Sequence, residues 1–124
     1  MIVGHYGCGG VMAALHGTRI GLADNWVRHI QDVRDRHRGI LENIAPEKRA
    51  DALVDLNVIE QVVNLSVSTV MVDAWAKNQK VRVHGWAFGV HDGLLQDLKM
   101  TVDSGEALEP RYRQAVEGVI AKHS

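Results

Sequence analysis

One cysteine in 124 residues leaves no partner for an internal disulfide, which fits a reducing compartment. An excess of either charge is also missing. With 14 basic and 15 acidic residues the formal net charge is -1, so nothing in the bulk charge attracts nucleic acid or an anionic membrane. No long uninterrupted apolar run suggests a membrane span, and Met1-Ile2-Val3 is too short for the core of a signal peptide. A soluble cytoplasmic protein is therefore expected. There is no internal repeat, low-complexity tract or second domain, and residues 1–124 read as one domain, small for an enzyme built on a doubly wound sheet. The locally basic run Arg34-Asp35-Arg36-His37-Arg38 lacks aromatic interleaving and carries an aspartate, which argues against a nucleic-acid surface.

What is present centres on Gly4-His5-Tyr6-Gly7-Cys8-Gly9-Gly10-Val11. An apolar lead-in, Met1 to Gly4, reads as a buried strand inside a parallel sheet, and Val11 to Leu15 reads as a short helix ended by His16-Gly17. A strand end that turns into a helix start is where open α/β sheets keep their chemistry. His5 and Cys8 at that turn can aim an imidazole nitrogen and a thiolate at one Zn2+ ion, and a helix amino terminus favours the thiolate. Gly9 and Gly10 would let a small anion reach backbone N–H groups beside the metal. The alternative reading of Cys8 is a small buried hydrophobe.

Asp24 to His37 has helical spacing, with Trp26, Ile30 and Val33 on the apolar side and Asp24/Arg28 and Asp32/Arg36 as i,i+4 pairs. A loop is expected around Gly39 to Pro46. From Glu47 to Lys77 one long helix is predicted, its stripe formed by Leu56, Ile59, Val63, Val67, Val70 and Ala74 and its polar face by Asn57, Glu60, Gln61, Asn64 and Ser68. That helix is the candidate to cover the sheet or to meet another chain, and Glu60 and Gln61 read as structural hydrogen-bonding groups. Lys80 to Phe88 reads as a second strand, Val90-His91-Asp92-Gly93 as a turn, and Leu94 to Met100 as an antiparallel return. His84 is the best additional ligand on offer, with a hydrogen bond inside the sheet as its other reading. His16 reads as a helix-end residue, and His91 beside Asp92 as a corner. A terminal helix carries Tyr112, Ala115, Val116, Val119 and Ile120, with Pro110 in its first turn.

His5-Tyr6-Gly7-Cys8-Gly9-Gly10-Val11 resembles the zinc motif of the β-class carbonic anhydrases. Further matches follow in the family's order: Gly21-Leu22-Ala23-Asp24-Asn25-Trp26, Arg28-His29-Ile30, Leu56 to Val62, Val83 to Gly89, and Asp92 to Leu98. The resemblance implies an α/β fold, a mostly parallel β-sheet flanked by helices, and zinc-dependent reversible hydration of carbon dioxide to bicarbonate. It assigns His5 and Cys8 to the metal and Gly9 and Gly10 to carbon dioxide/bicarbonate, and it implies a homo-oligomer, dimer or tetramer. Family enzymes also carry an upstream Cys-x-Asp-x-Arg motif that supplies a further cysteine ligand and an orienting Asp/Arg pair. This sequence has neither that motif nor a second cysteine. The expectation is therefore a fold truncated on its amino-terminal side, inactive alone. A non-enzymatic oligomerisation module, or a zinc-binding protein in which two chains each give His5 and Cys8, are the alternatives. Phe88 falls where many bacterial members have a tyrosine tied to an inhibitory bicarbonate pocket, and a phenyl ring cannot make that hydrogen bond.

Overall fold

A computed structural model describes all 124 residues. Three strands, β1 (Ile2–His5), β2 (Val83–Phe88) and β3 (Leu95–Val102), form one sheet in the order β1-β2-β3. β1 and β2 run parallel, with Ile2 opposite Gly85 and His5 opposite Phe88, and β2 and β3 run antiparallel. The six helices are α1 (Gly9–His16), α2 (Asp24–Arg36), α3 (Arg38–Glu42), α4 (Arg49–Ser66), α5 (Thr69–Ala76) and α6 (Leu108–Lys122). None is long and apolar enough to cross a membrane. The α/β class and the flanking helices are as expected. β1, however, is an edge strand with Val3 exposed, because it pairs with β2 alone.

The core lies between the sheet and α4. Ala52, Leu53, Leu56, Ile59 and Val62 of α4 are fully buried, and Val83, Ala87, Met100 and Val102 meet them from the sheet. Burying side chains of this size is worth about 1.5–3 kcal/mol each before the entropy of ordering is counted. α4 can lie this close because two strand positions lack a Cβ. A Cβ on Gly4 would stand 2.6 Å from Val58 Cγ2 and 3.2 Å from Val54 Cγ1, and one on Gly85 would stand 3.1 Å from Val62 Cγ2.

Several local expectations are corrected. The run from Glu47 to Lys77 is two helices, because Ser68 takes an extended conformation and caps α5, its Oγ accepting from the Met71 N–H at 3.5 Å and donating to the Leu65 carbonyl at 2.6 Å. The break turns Val67 and Val70 out to solvent, so the expected stripe ends at Val63. The expected loop at Gly39 to Pro46 contains α3, held by buried Leu41 and Ile44. On α2 Val27 and Val33 are buried with Ile30 partly buried beside them, and Trp26 is 76% exposed. The two i,i+4 pairs are replaced: Asp24 accepts from the Ile20 N–H at 2.7 Å, and Arg36 reaches across to α4. On α6, Ala115 and Val119 are buried while Ile120 is partly exposed.

Gly4→Ala should destabilise the protein by about 2 kcal/mol, since a methyl forced against α4 must move the helix or the strand. Equilibrium urea unfolding checks this, with Gly9→Ala, where a Cβ meets nothing within 4 Å, as the comparison.

Candidate metal centre

His5 closes β1, and the ladder runs one residue further through the Tyr6 N–H, which donates to the Phe88 carbonyl at 3.0 Å. The chain then reverses at Gly7, whose φ of 75° lies in the left-handed region that a side chain would disfavour. Cys8 is the N-cap of α1, extended at φ -67° and ψ 123°, and its carbonyl accepts the Met12 N–H at 3.0 Å. Alternation along the strand sends Gly4 and Tyr6 towards α4 and His5 to the other face. His5 is exposed. Its Nδ1 lies 3.3 Å from the Tyr6 carbonyl, which can only accept; in the tautomer that makes this bond, Nε2 has its lone pair free for a ligand. Cys8 is a half-buried free thiol whose sulfur lies over the first turn of α1, 3.7 Å from where a Cβ on Gly10 would stand. Gly9 and Gly10 open α1, where amides have no acceptor within the helix.

Zinc in a protein takes four ligands, at least three of them from side chains. No group of three or more His, Cys, Asp or Glu side chains gathers at one point in this chain. His5 and Cys8, the two expected metal donors, stand on one strand-turn-helix with no third such side chain beside them. His84 is not the third. It sits near the start of β2, level with the beginning of β1, hydrogen-bonds through Nδ1 to Thr101 Oγ1 at 3.0 Å, and stacks on Trp86 with ring centroids 5.5 Å apart. His16 is exposed in the last turn of α1. His91 is exposed, and Asp92 accepts from the Leu94 N–H at 3.0 Å in the β2–β3 turn.

Two polar clusters on α4 were not foreseen as such. Asp55 is fully buried. Its Oδ1 accepts from the Tyr6 hydroxyl at 2.6 Å, and its Oδ2 accepts from His123 Nε2 at 2.8 Å and from Lys122 Nζ at 3.1 Å. Glu60, 2% exposed, accepts from Arg36 at 2.5 Å, from His37 Nε2 at 2.8 Å and from the Tyr112 hydroxyl at 2.5 Å. Burial pushes the Glu60 carboxyl up, but the hydrogen bonds from His37 and Tyr112 and the Arg36 charge outweigh it and hold the group below the usual carboxylate range. Burial, and then the neighbouring carboxylate, raise both tyrosines, so Tyr6 and Tyr112 remain protonated donors. The sequence signal was an acid inside an apolar run: Leu53-Val54-Asp55-Leu56, then Val58-Ile59-Glu60. Structural hydrogen bonding describes Glu60 correctly. Its partners come from 23, 24 and 52 residues away, beyond the reach of local pattern.

A family model described as carbonic anhydrase matches residues 1–95. Among curated proteins, a carbonic anhydrase of Emericella nidulans is 41% identical over 101 residues, covering 81% of this chain and 44% of that protein. A carbonic anhydrase of Candida albicans is 32% identical over 111 residues, covering 87% of this chain and 39% of that protein. Among solved structures, the Coccomyxa β-carbonic anhydrase in complex with acetazolamide superposes with a TM-score of 0.80 at 30% identity, covering 90% of this chain and 53% of that one. One of two tetrameric β-carbonic anhydrases from Sordaria macrospora superposes with a TM-score of 0.72 at 29% identity, covering 81% and 51%. The chain thus spans less than half the length of these curated relatives.

Glu60→Gln should cost about 3 kcal/mol in urea unfolding, the low end for breaking a buried ion pair, because Arg36 is partly exposed and can rehydrate. Since the folded-state pKa of Glu60 is depressed, its stabilisation is complete above the unfolded carboxylate value of about 4.3 and drains as pH falls through the lower folded value. The variant should therefore lose less stability than the parent chain on acidification below about pH 4, a comparison made by denaturation at stepped pH.

Proposed function

The chain belongs to the β-class carbonic anhydrases, and from that premise we propose that it forms the carboxy-terminal part of a zinc site for reversible hydration of carbon dioxide to bicarbonate. The observation that carries the proposal is the strand-turn-helix at residues 2–16, which presents His5 and Cys8 with their ligating atoms free of other hydrogen bonds. His5 Nε2 and Cys8 Sγ would be two metal ligands, and the first-turn amides of Gly9 and Gly10 would receive the anionic product.

The third ligand and the Asp/Arg pair implied by the family are not among these residues, so the proposed activity belongs to the completed site and not to this chain by itself. The missing third donor is also what favours the second reading, a non-catalytic module of the same fold when the chain stands alone. A homo-oligomer is proposed with the first reading, supported by the tetrameric relatives from Sordaria macrospora and by the apolar surface at Leu22, 99% exposed, and Trp26. A cytoplasmic location fits the single cysteine. Phe88, directly across from His5, brings no hydroxyl to this end of the sheet, so tyrosine-dependent bicarbonate inhibition is left out of the proposal.

The test pairs metal analysis with stopped-flow carbon dioxide hydration. The chain alone should retain no stoichiometric zinc after gel filtration and should not raise hydration above buffer. Supplying a segment with Cys-x-Asp-x-Arg, fused or in trans, should give zinc-dependent hydration that Cys8→Ser abolishes. Hydration that survives Cys8→Ser would refute the assignment.

A further inference from the structure

The Asp55 cluster joins three parts of the chain that are remote in sequence: the end of β1, the middle of α4 and the end of α6. Tyr6 lies between His5 and Gly7-Cys8. Its hydroxyl donates to Asp55 Oδ1 at 2.6 Å and accepts from Lys122 Nζ at 2.5 Å, and that ammonium also lies 4.9 Å from the centre of the Tyr6 ring. Asp55 is at the same time held by His123 at 2.8 Å, just past the last turn of α6. On the other side of His5, Gly4 packs against Val54 and Val58, which flank Asp55 on α4.

His5 is therefore bracketed by two residues fastened to one helix, while its own side chain faces the opposite way. Fixing alternate residues of a strand fixes the direction of the residue between them. The second cluster is built alike, from a carboxylate of α4, a tyrosine, a histidine and a cation, and it too ties α6 to α4. It does not touch residues 4–10.

We propose that Tyr6, Asp55, Lys122 and His123 form a brace through which the carboxy-terminal end of the chain positions the His5–Cys8 segment. These are positioning residues, acting through the backbone that carries the two donors. The proposal rests on the reading of His5 and Cys8 as donors, since without it the brace would steady a turn of no chemical use.

The test is made on the metal-free chain. Tyr6→Phe removes the hydroxyl and keeps the ring, and Lys122→Met removes the ammonium and keeps the stem. Tyr112→Phe makes the matching cut in the other cluster. Amide exchange at Gly7 to Met12 and alkylation of Cys8 by iodoacetamide should each quicken about tenfold in Tyr6→Phe, the scale expected for losing one hydrogen bond to a carboxylate. Lys122→Met should act in the same direction, and Tyr112→Phe should leave both readings within about twofold of the parent.

Unchanged exchange and alkylation in Tyr6→Phe would overturn the proposal. So would an equal effect from Tyr112→Phe, because a general loosening of α6 would then explain both. Failure of the donor reading is seen separately, as zinc uptake by the completed protein that is indifferent to Cys8→Ser, with the exchange results unaltered.

Discussion

The structure depends on how close α4 comes to the first two strands. Gly4 and Gly85 leave no room for side chains where Val54, Val58 and Val62 arrive, so strand and helix meet almost backbone to side-chain tip. That approach buries the apolar positions of α4 on nearly all sides and fixes the level at which β1 and β2 lie against it. With the parallel register set at Ile2 opposite Gly85, the position of His5 and the start of the turn follow three residues on.

Close packing on all sides of α4 has a cost, because two of its buried positions are carboxylates. An ionised carboxylate out of water is tolerated only when its lone pairs are taken up, and each of these has a phenol, an imidazole and a cation. An apolar side chain at either place would fill the space with less to satisfy. What a carboxylate adds is discrimination: a one-residue slide of α6 would take Lys122 and His123 from Asp55 and Tyr112 from Glu60, whereas it would cost an apolar seam much less. Both clusters link α6 to α4, at Tyr112 and at Lys122–His123, alongside the apolar contacts of Ala115 and Val119.

Much of this architecture was legible in the residues, and the reason is range. The strand end, the Gly7 turn, the α1 cap and the β2–β3 turn are set by neighbours within a few positions, and local pattern found them. The break at Ser68 was hidden because apolar residues on either side keep helical spacing through it, and only the cap geometry shows that the phase changes. Trp26 was assigned inward by its helical spacing from Ile30 and Val33, but it is Val27, one residue on, that is buried and packs with Ile30. Arg36 was assigned to a neighbour four residues back, where an exposed pair gains a few tenths of a kcal/mol, and the buried Glu60 outcompetes that neighbour. The expectation for His5 and Cys8 could be formed because both lie on one short turn. None could be formed for the brace behind them, since its members are separated by 49 and 68 residues.

The same separation bears on how the proposed half of a metal site is shaped. Every element that shapes the His5–Cys8 turn lies within this chain: the β1–β2 ladder, the left-handed Gly7, the N-cap at Cys8 and the contacts of Gly4 and Tyr6 with α4. None of them uses a ligand. In many small zinc domains the metal itself organises the loops, and binding and folding are one event. Here Gly4 packs on α4 and Tyr6 is bonded to a buried carboxylate, so on the proposed reading part of the ordering entropy of the two donors would be met by the fold itself. A segment that completed the site would have to bring the remaining donors to a turn already shaped to receive them. On the proposed reading the division of labour is physical: this chain would supply a shaped turn and two ligands, and the rest of the coordination sphere would supply affinity.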